Sequence, residues 1–488
     1  MSFASGSVCR RLDHGLTVGA SAAIQFQPSL VLPGQLRLPA SASQIRCFLG
    51  SGEAQRFVKG LDIPAEWWTL FRSKPLSDLI ERSLKANPDI KAVQAALLAA
   101  RENVLAQKGV CYPSAAGSFK ASRNKTSNVI SPTTASGALY YSPYTPQASV
   151  SYVPDVFGLN RRTVESLKAQ AEQERFALAA THITLSANAA AAAIQEASLR
   201  AQIDATRQLI AINTNMLQIL RAQFAKGYAS RLDVAAQESQ LAQAAVLLPP
   251  LLKQLAQQRD LLAALSGAFP GQGPAEQFEL ASLQLPEELP VTVPSQLVEQ
   301  RPDVRQAEEN LHAASAQIGI AVANRLPSIA LTADAGSMAL AAGQIFAGGT
   351  GFGTLGASVT QPIFEGGALL HKERAARAAY TPAAEQYRST VLTAFQNVAD
   401  TLHALEQDAD ALKAAAAAKD AAGITLELAK KQFESGYANY LALLNAEQAY
   451  QPAVINLGQA QANRYTDTAA LFEALGGGWW NRTELTKK

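Results

Sequence analysis

Few residues in this chain are suited to chemistry, and their spacing argues against a reaction centre. The five histidines, His14, His182, His312, His371 and His403, show no ligand spacing with one another. His182 and His403 fall where helix surfaces are expected. Cys9, Cys47 and Cys111 are odd in number and far apart, which gives neither a disulfide framework nor a zinc pattern. Gly351-Phe352-Gly353-Thr354-Leu355-Gly356 has the spacing of a dinucleotide fingerprint. That motif needs a strand before it and a helix after it. Here a strand is predicted to follow, so the stretch reads as a loop. Asn124-Lys125-Thr126 has the form of a glycosylation acceptor, a spacing that chance supplies readily. No serine or cysteine nucleophile motif is present. The expectation is that the chain is not an enzyme and has no catalytic residue, cofactor or metal.

What the chain does have is long elements. From Val391 the larger residues fall at Val391, Phe395, Val398, Leu402, Leu405, Ala409 and Leu412, alternating steps of four and three. That is the seam of a coiled coil. As one helix, Gly367 to Ser435 would reach ~100 Å. A tube or stalk needs a helix of that length and a globular core does not.

The long stretch also has a twin. Asn87-Pro88-Asp89 matches Arg301-Pro302-Asp303, and Pro113-Ser114 matches Pro327-Ser328. Phe157-Gly158 matches the Phe364 to Gly366 turn, Gly227-Tyr228-Ala229 matches Gly436-Tyr437-Ala438, and Ala264-Leu265 matches Ala474-Leu475. All are separated by roughly 210 residues, which marks duplication and is too long for a solenoid unit.

Within each copy the order is the same. A short helix opens at Asn87 or Arg301, with proline at its first position. Next, Gly117, Phe119 and Ala121 alternate with polar residues, and after a polar loop so do Ala148, Val150 and Tyr152. In the second copy Ile329, Leu331 and Ala333 alternate, then Ala357 and Val359. Strands of about 9–11 residues with weak alternation are the signature of a membrane β-barrel. Four strands cannot close a barrel, and open edges are not tolerated in lipid. The chain must therefore oligomerise, and a trimer would supply twelve strands. Each strand pair leads into a long helical hairpin.

The expected organisation runs as follows. Residues 1–62 form an N-terminal segment without structure, or one whose start is wrongly assigned. Residues 63–267 are the first repeat, with strands at about 115–157 and long helices at about 160–265. Residues 268–297 link the copies. Residues 298–478 are the second repeat, with strands at about 328–364 and long helices at about 367–475. Residues 479–488 are a tail. Arg10-Arg11 before Leu16 to Ile24 is a weak, interrupted export signal, and neither Cys9 nor Cys47 follows the small residue that a lipoprotein needs. No run of ~18 strongly apolar residues is present, so no membrane-spanning helix is expected. The net charge of +2 and the 17% of charged residues give no reason to invoke nucleic acid.

With these residues in view the chain resembles the TolC-like outer-membrane efflux factors, closest to their NodT/OprM-like drug-efflux branch. The resemblance rests on Ala65-Glu66-Trp67-Trp68-Thr69-Leu70-Phe71, Asp155-Val156-Phe157-Gly158 and Arg301-Pro302-Asp303-Val304-Arg305-Gln306-Ala307-Glu308. It rests also on Leu326-Pro327-Ser328-Ile329, Gln361-Pro362-Ile363-Phe364-Glu365-Gly366-Gly367 and Ala474-Leu475-Gly476-Gly477-Gly478-Trp479. It covers about residues 63–480.

The resemblance implies a mainly α fold with a β-barrel part. A homotrimer would form a twelve-stranded barrel in the outer membrane of a Gram-negative bacterium, continuous with a twelve-helix periplasmic α-barrel. The implied function is a passive exit channel of a tripartite pump and multidrug resistance. Its partners would be outer-membrane lipid, a periplasmic adaptor (membrane fusion) protein and an inner-membrane RND-type transporter. The turns Gly227-Tyr228-Ala229-Ser230 and Gly436-Tyr437-Ala438-Asn439 would be adaptor-docking tips. The pore constriction would fall on Leu441, Ala442 and Asn445, with Asp233 from the first copy. Relatives commonly carry Asp at one or both of the positions held here by Ala442 and Asn445, so an acidic gate is in question. Asp233 is read equally well as a first-turn acid favoured by the helix dipole.

Pro154, Pro249, Pro250, Pro382 and Pro452 sit where a strand or helix should be continuous, and an interior helix proline costs ~3 kcal/mol. With the weak export signal they leave open a decayed, non-functional copy. The exit channel of a protein-secretion system is the other alternative within the fold. A soluble coiled-coil scaffold would explain the heptads but not the duplicated strand pairs.

Overall fold

The computed structural model describes residues 47–48, 54–125, 140–273, 276–291 and 294–483. Strands β1 (Cys47–Phe48) and β2 (Ala54–Lys59) precede helices α1 (Lys74–Ala86) and α2 (Pro88–Gly109). Strands β3 (Ser114–Ala121), β4 (Asn124–Lys125), β5 (Tyr140–Tyr141) and β6 (Tyr144–Tyr152) follow. Helices α3 (Leu159–Ala225) and α4 (Arg231–Leu265) complete the first copy. Strand β7 (Glu288–Val291) and helix α5 (Pro294–Gln300) lie between the copies. The second copy holds α6 (Pro302–Ala323), β8 (Ser328–Ser337), β9 (Gly351–Thr360), α7 (Ala368–Glu434) and α8 (Tyr440–Ala474).

The twin lengths match residue for residue. Helices α3 and α7 both have 67 residues, α4 and α8 both have 35, and α2 and α6 both have 22. At 1.5 Å per residue the longest span ~100 Å. The short helices are tied to the ends of the returning long ones by twin bonds. Asn87 caps α2 by accepting from the Asp89 N–H at 2.8 Å, and its amide donates to the Leu265 carbonyl at 3.1 Å. Arg301 does the second job for α6. Its guanidinium pairs with Asp303 at 2.6 Å and donates to the Ala474 carbonyl at 3.1 Å. Gly476, at φ +96°, lies against the Gln300 carbonyl, where any Cβ would sit only 2.7 Å from the oxygen. Gly267 stands in the same relation to the Ala86 carbonyl.

The core gathers where these ties meet. Trp67, Trp68, Phe71, Leu76, Leu79 and Ile80 bury against α3 and α8, and Trp67 stacks on Phe472 at 5.4 Å. The facing stretch of α3 holds an unbroken run of alanines, Ala189 through Ala193, of which Ala189, Ala190, Ala192 and Ala193 are buried. This stretch gives α3 a window apolar enough by composition to cross a membrane, against expectation. Most of that window is buried within the fold, so its apolar character belongs to the core. In α7, Val391, Leu405 and Leu412 are buried, and Phe395, Val398 and Leu402 are partly so, which places the heptad seam inward.

The main sheet is antiparallel, in the order β3-β6-β8-β9. The β6–β8 pair joins the copies, with Ser149 opposite Asp334 and Val150 opposite Ala333. The register fixes two faces. Ser149 aligns with Asp334 and Thr354, and Ser151 with Thr332. Gln147, on that face, donates to the Asp334 carboxylate at 2.7 Å. The opposite face carries Phe119, Ala148, Val150, Ile329, Leu331, Ala333, Leu355, Ala357 and Val359. Leu355 is 87% exposed and Val359 68% exposed. The sheet is thus polar on one face and apolar on the other, and the apolar face is bare.

Three differences from the sequence reading stand out. Ordered backbone begins before Ile63: β2 pairs in parallel with β7, Arg56 opposite Glu288 and Lys59 opposite Val291. The stretch read as a linker therefore contributes a strand and most of α5. Both strands are short and their partners are distant in sequence, so no local periodicity marks them. The interior prolines Pro249, Pro250, Pro382 and Pro452 lie within helices that continue past them. Pro154 follows the end of β6 and interrupts nothing. The expectations for residues 1–46, including Cys9 and the export signal, lie outside the described residues, as do Thr126 and the loop to residue 139.

Candidate functional site

Each long hairpin turns once, at the end of its long helix away from the strands, and the two turns are built alike. In both, glycine follows the helix end in the left-handed region, Gly227 at φ +81° and Gly436 at φ +76°. The next two N–H groups fold back onto the helix. Gly227 donates to the Phe224 carbonyl at 2.9 Å and Tyr228 to that of Gln223 at 2.9 Å. Gly436 and Tyr437 repeat the pattern onto Phe433 and Gln432, at 3.1 and 2.8 Å. This is the Schellman closure, and it satisfies carbonyls a helix end would leave unpaired. It leaves Tyr228 and Tyr437 outside, 82% and 90% exposed.

The return helices start with side-chain caps. Ser230 accepts from the Asp233 N–H at 3.2 Å, and the Asp233 carboxylate accepts from the Ser230 N–H and hydroxyl at 2.9 and 2.7 Å. That reciprocal pair is a capping box. The bonds from Ser230 hold the Asp233 carboxyl below the usual range. The matching residue Asn439 accepts from the Ala442 N–H at 3.0 Å. Asp233 is therefore held at its own helix start. Leu441, Ala442 and Asn445 lie together on one exposed strip of α8, opposite buried Leu443, Leu444 and Ala446.

Behind the tips is a buried polar group that sequence reasoning missed. Gln237 is fully buried between the hairpins. Its amide donates to the Asn213 carbonyl at 3.0 Å and to the Asn213 side chain at 2.9 Å. The Tyr440 hydroxyl donates to the Gln237 side-chain oxygen. Burial first, then Glu447 and Asp233, push the Tyr440 hydroxyl well above its ordinary value. Glu447 itself is raised by burial. These polar residues interrupt the apolar spacing of α3, α4 and α8, which is the signal that could have found them. Around them pack Met216, Leu217, Leu220, Val234 and Leu443.

The histidines divide. His403 is exposed on α7 as expected. His182 is half-buried near Arg482, and burial followed by that guanidinium lowers it to about 4, so a surface site does not describe it. Among the described residues no group of three or more His, Cys, Asp or Glu side chains is arranged so that it could hold a metal ion.

The chain is similar to known proteins over most of its length. A family profile described as outer membrane efflux protein matches residues 79–268 and 293–477, one stretch in each copy. The probable efflux pump outer membrane protein SepC of Pseudomonas putida is 30% identical, over 96% of this chain and 97% of that protein. The toluene efflux pump outer membrane protein TtgF of Pseudomonas putida is also 30% identical, with the same coverage. Among solved structures, the outer-membrane channel OprN superposes with a TM-score of 0.80 at 24% identity, over 90% of this chain and 96% of that one.

Proposed function

The chain belongs to the outer membrane efflux protein family, and on that premise we propose that three copies assemble into a passive exit duct for apolar toxic solutes. Each copy contributes four strands and two long hairpins. The sheet supports the reading: among the described residues the edges of β3 and β9 have no further partner, one face is apolar and the other polar. In lipid an unpaired strand edge leaves backbone groups unsatisfied, at several kcal/mol each. Closure onto neighbouring copies pairs both edges, turns the apolar face to lipid and turns Gln147, Ser149 and Asp334 to the lumen. The helices then carry the lumen ~100 Å away from the membrane.

The tips are the receiving end. Leu441, Ala442 and Asn445 narrow the pore, and Asp233 fixes the start of α4 in the first hairpin by capping it. The turns at Gly227 to Ser230 and Gly436 to Asn439 present Tyr228 and Tyr437 to a periplasmic adaptor, which links the duct to an inner-membrane transporter. The relatives named as toluene and other efflux pump proteins support small apolar solutes as cargo. The test is co-expression with an adaptor and transporter pair in a strain lacking its own exit component. Restored growth on toluene is expected. A chain that reaches the outer membrane but restores no tolerance, and conducts no ions in a planar bilayer, overturns the duct reading.

A further inference from the structure

A pocket of ≈ 280 Å³ opens between α3, α4 and α8, behind the tip of the hairpins. Its wall contains Asn213 of α3, Gln240 and Gln243 of α4, and Glu447, Gln448 and Gln451 of α8. Glu447 is the one acid among these, and no lysine or arginine lines the wall. The residue is only 5% exposed, and among the described residues its Oε2 has no hydrogen-bond partner. An unpaired carboxylate oxygen at that depth is costly. The charges that act on it are few: Lys430 of α7 favours its ionised form, and Tyr440 lies near enough to feel its charge. The amides around it offer carbonyl oxygens as further acceptors and N–H groups as donors.

We propose that this pocket binds a small organic cation carrying one primary ammonium, which completes the Glu447 carboxylate. A single acid matches a single positive charge. An ammonium has three donors and no acceptor, which suits a carboxylate flanked by amide oxygens. A hard divalent ion asks for six or more oxygen ligands, usually with several carboxylates, and this wall offers one carboxylate. A bound ammonium would bridge α8 to the α3–α4 hairpin beside the Gln237–Tyr440 bond, on a helix that also carries Leu441 and Asn445. Occupancy would therefore tie the two hairpins of one chain together near the tip. Because burial raises the Glu447 carboxyl, binding should weaken as pH falls and the acid is protonated.

The experiment uses the full chain, extracted in detergent and titrated calorimetrically with n-butylammonium chloride at constant ionic strength. Binding is read without transport, so it stands or falls apart from the duct reading. Saturable binding of one ammonium per chain is expected, weakened roughly tenfold to a hundredfold in Glu447→Gln and retained in Glu447→Asp. Gln451→Leu, which removes an amide but no charge, should weaken it several-fold and decides the matter if Glu447→Gln fails to assemble. No saturable binding to the unaltered chain overturns the proposal. So does unchanged affinity in Glu447→Gln. Equal competition by potassium chloride also overturns it, since the site would then select charge alone.

Discussion

Asp467, on α8, has a carboxyl pushed up to about 7 from an ordinary 3.8, by burial first and then by Asp408, against the pull of Arg464. Because its value is higher in the folded chain, the fold binds the proton more tightly than the unfolded chain does. That contribution is complete below about 3.8 and is lost as pH rises to about 7. Thermal unfolding should therefore show stability falling across that window, and Asp467→Asn should flatten the fall. An unchanged pH profile in Asp467→Asn would count against a proton held there. At the same scale the sequence was informative only in part. Tyr228, Tyr437 and the two tip glycines were legible because a turn dictates its residues. Gln237, Asn213 and Glu447 left only a faint mark, polar side chains at apolar helical spacings, which a solvated face also produces. Asp233 had two readings; the structure uses its carboxylate to cap a helix, and nothing among the described contacts brings it to Leu441 or Asn445.

At the scale of elements, the same task is done by different residues in the two copies. Asn87 and Arg301 both fasten a short helix to the end of a long one. Arg301→Ala removes a largely buried guanidinium together with its bonds to Asp303 and Ala474, and should destabilise the assembly by about 2–3 kcal/mol. Asn87→Ala should cost ~1 kcal/mol, the worth of a helix cap. Denaturant midpoints of the extracted protein check both, and equal, negligible shifts would mean the ties are incidental. The strands make a sharper test. Leu355→Arg puts a charge on the apolar face and should cost about 2–4 kcal/mol in the bilayer. Thr354→Arg, one residue away, points to the polar face and should insert. If both variants reach the outer membrane equally, the face assignment is wrong. The alternation that set these faces was readable from sequence, as was the heptad seam of α7, because period two and period three-and-a-half are local signals. The β2–β7 pair was not, because strands of six and four residues carry little period and their pairing depends on chain more than two hundred residues away. The interior prolines misled for a related reason: the propensity cost is real, yet packing along a 35-residue or 67-residue helix overrides it.

At the scale of the whole molecule, duplication accounts for most of the architecture. Two copies with matched helix lengths place two similar turns at one end and a four-stranded sheet at the other. Each copy alone would have one hairpin and two strands, and its sheet edges would remain open. Among the described residues β3 and β9 remain open edges, and the proposed duct closes them on other chains. The measurement that bears most directly on this is the mass of the protein extracted from purified outer membranes in mild detergent. Three copies of the 51.6 kDa chain, less any segment removed on export, are expected in one stable particle. A monomer from that membrane, or a chain absent from it and recovered only in soluble form, would contradict a closed barrel built from three open sheets.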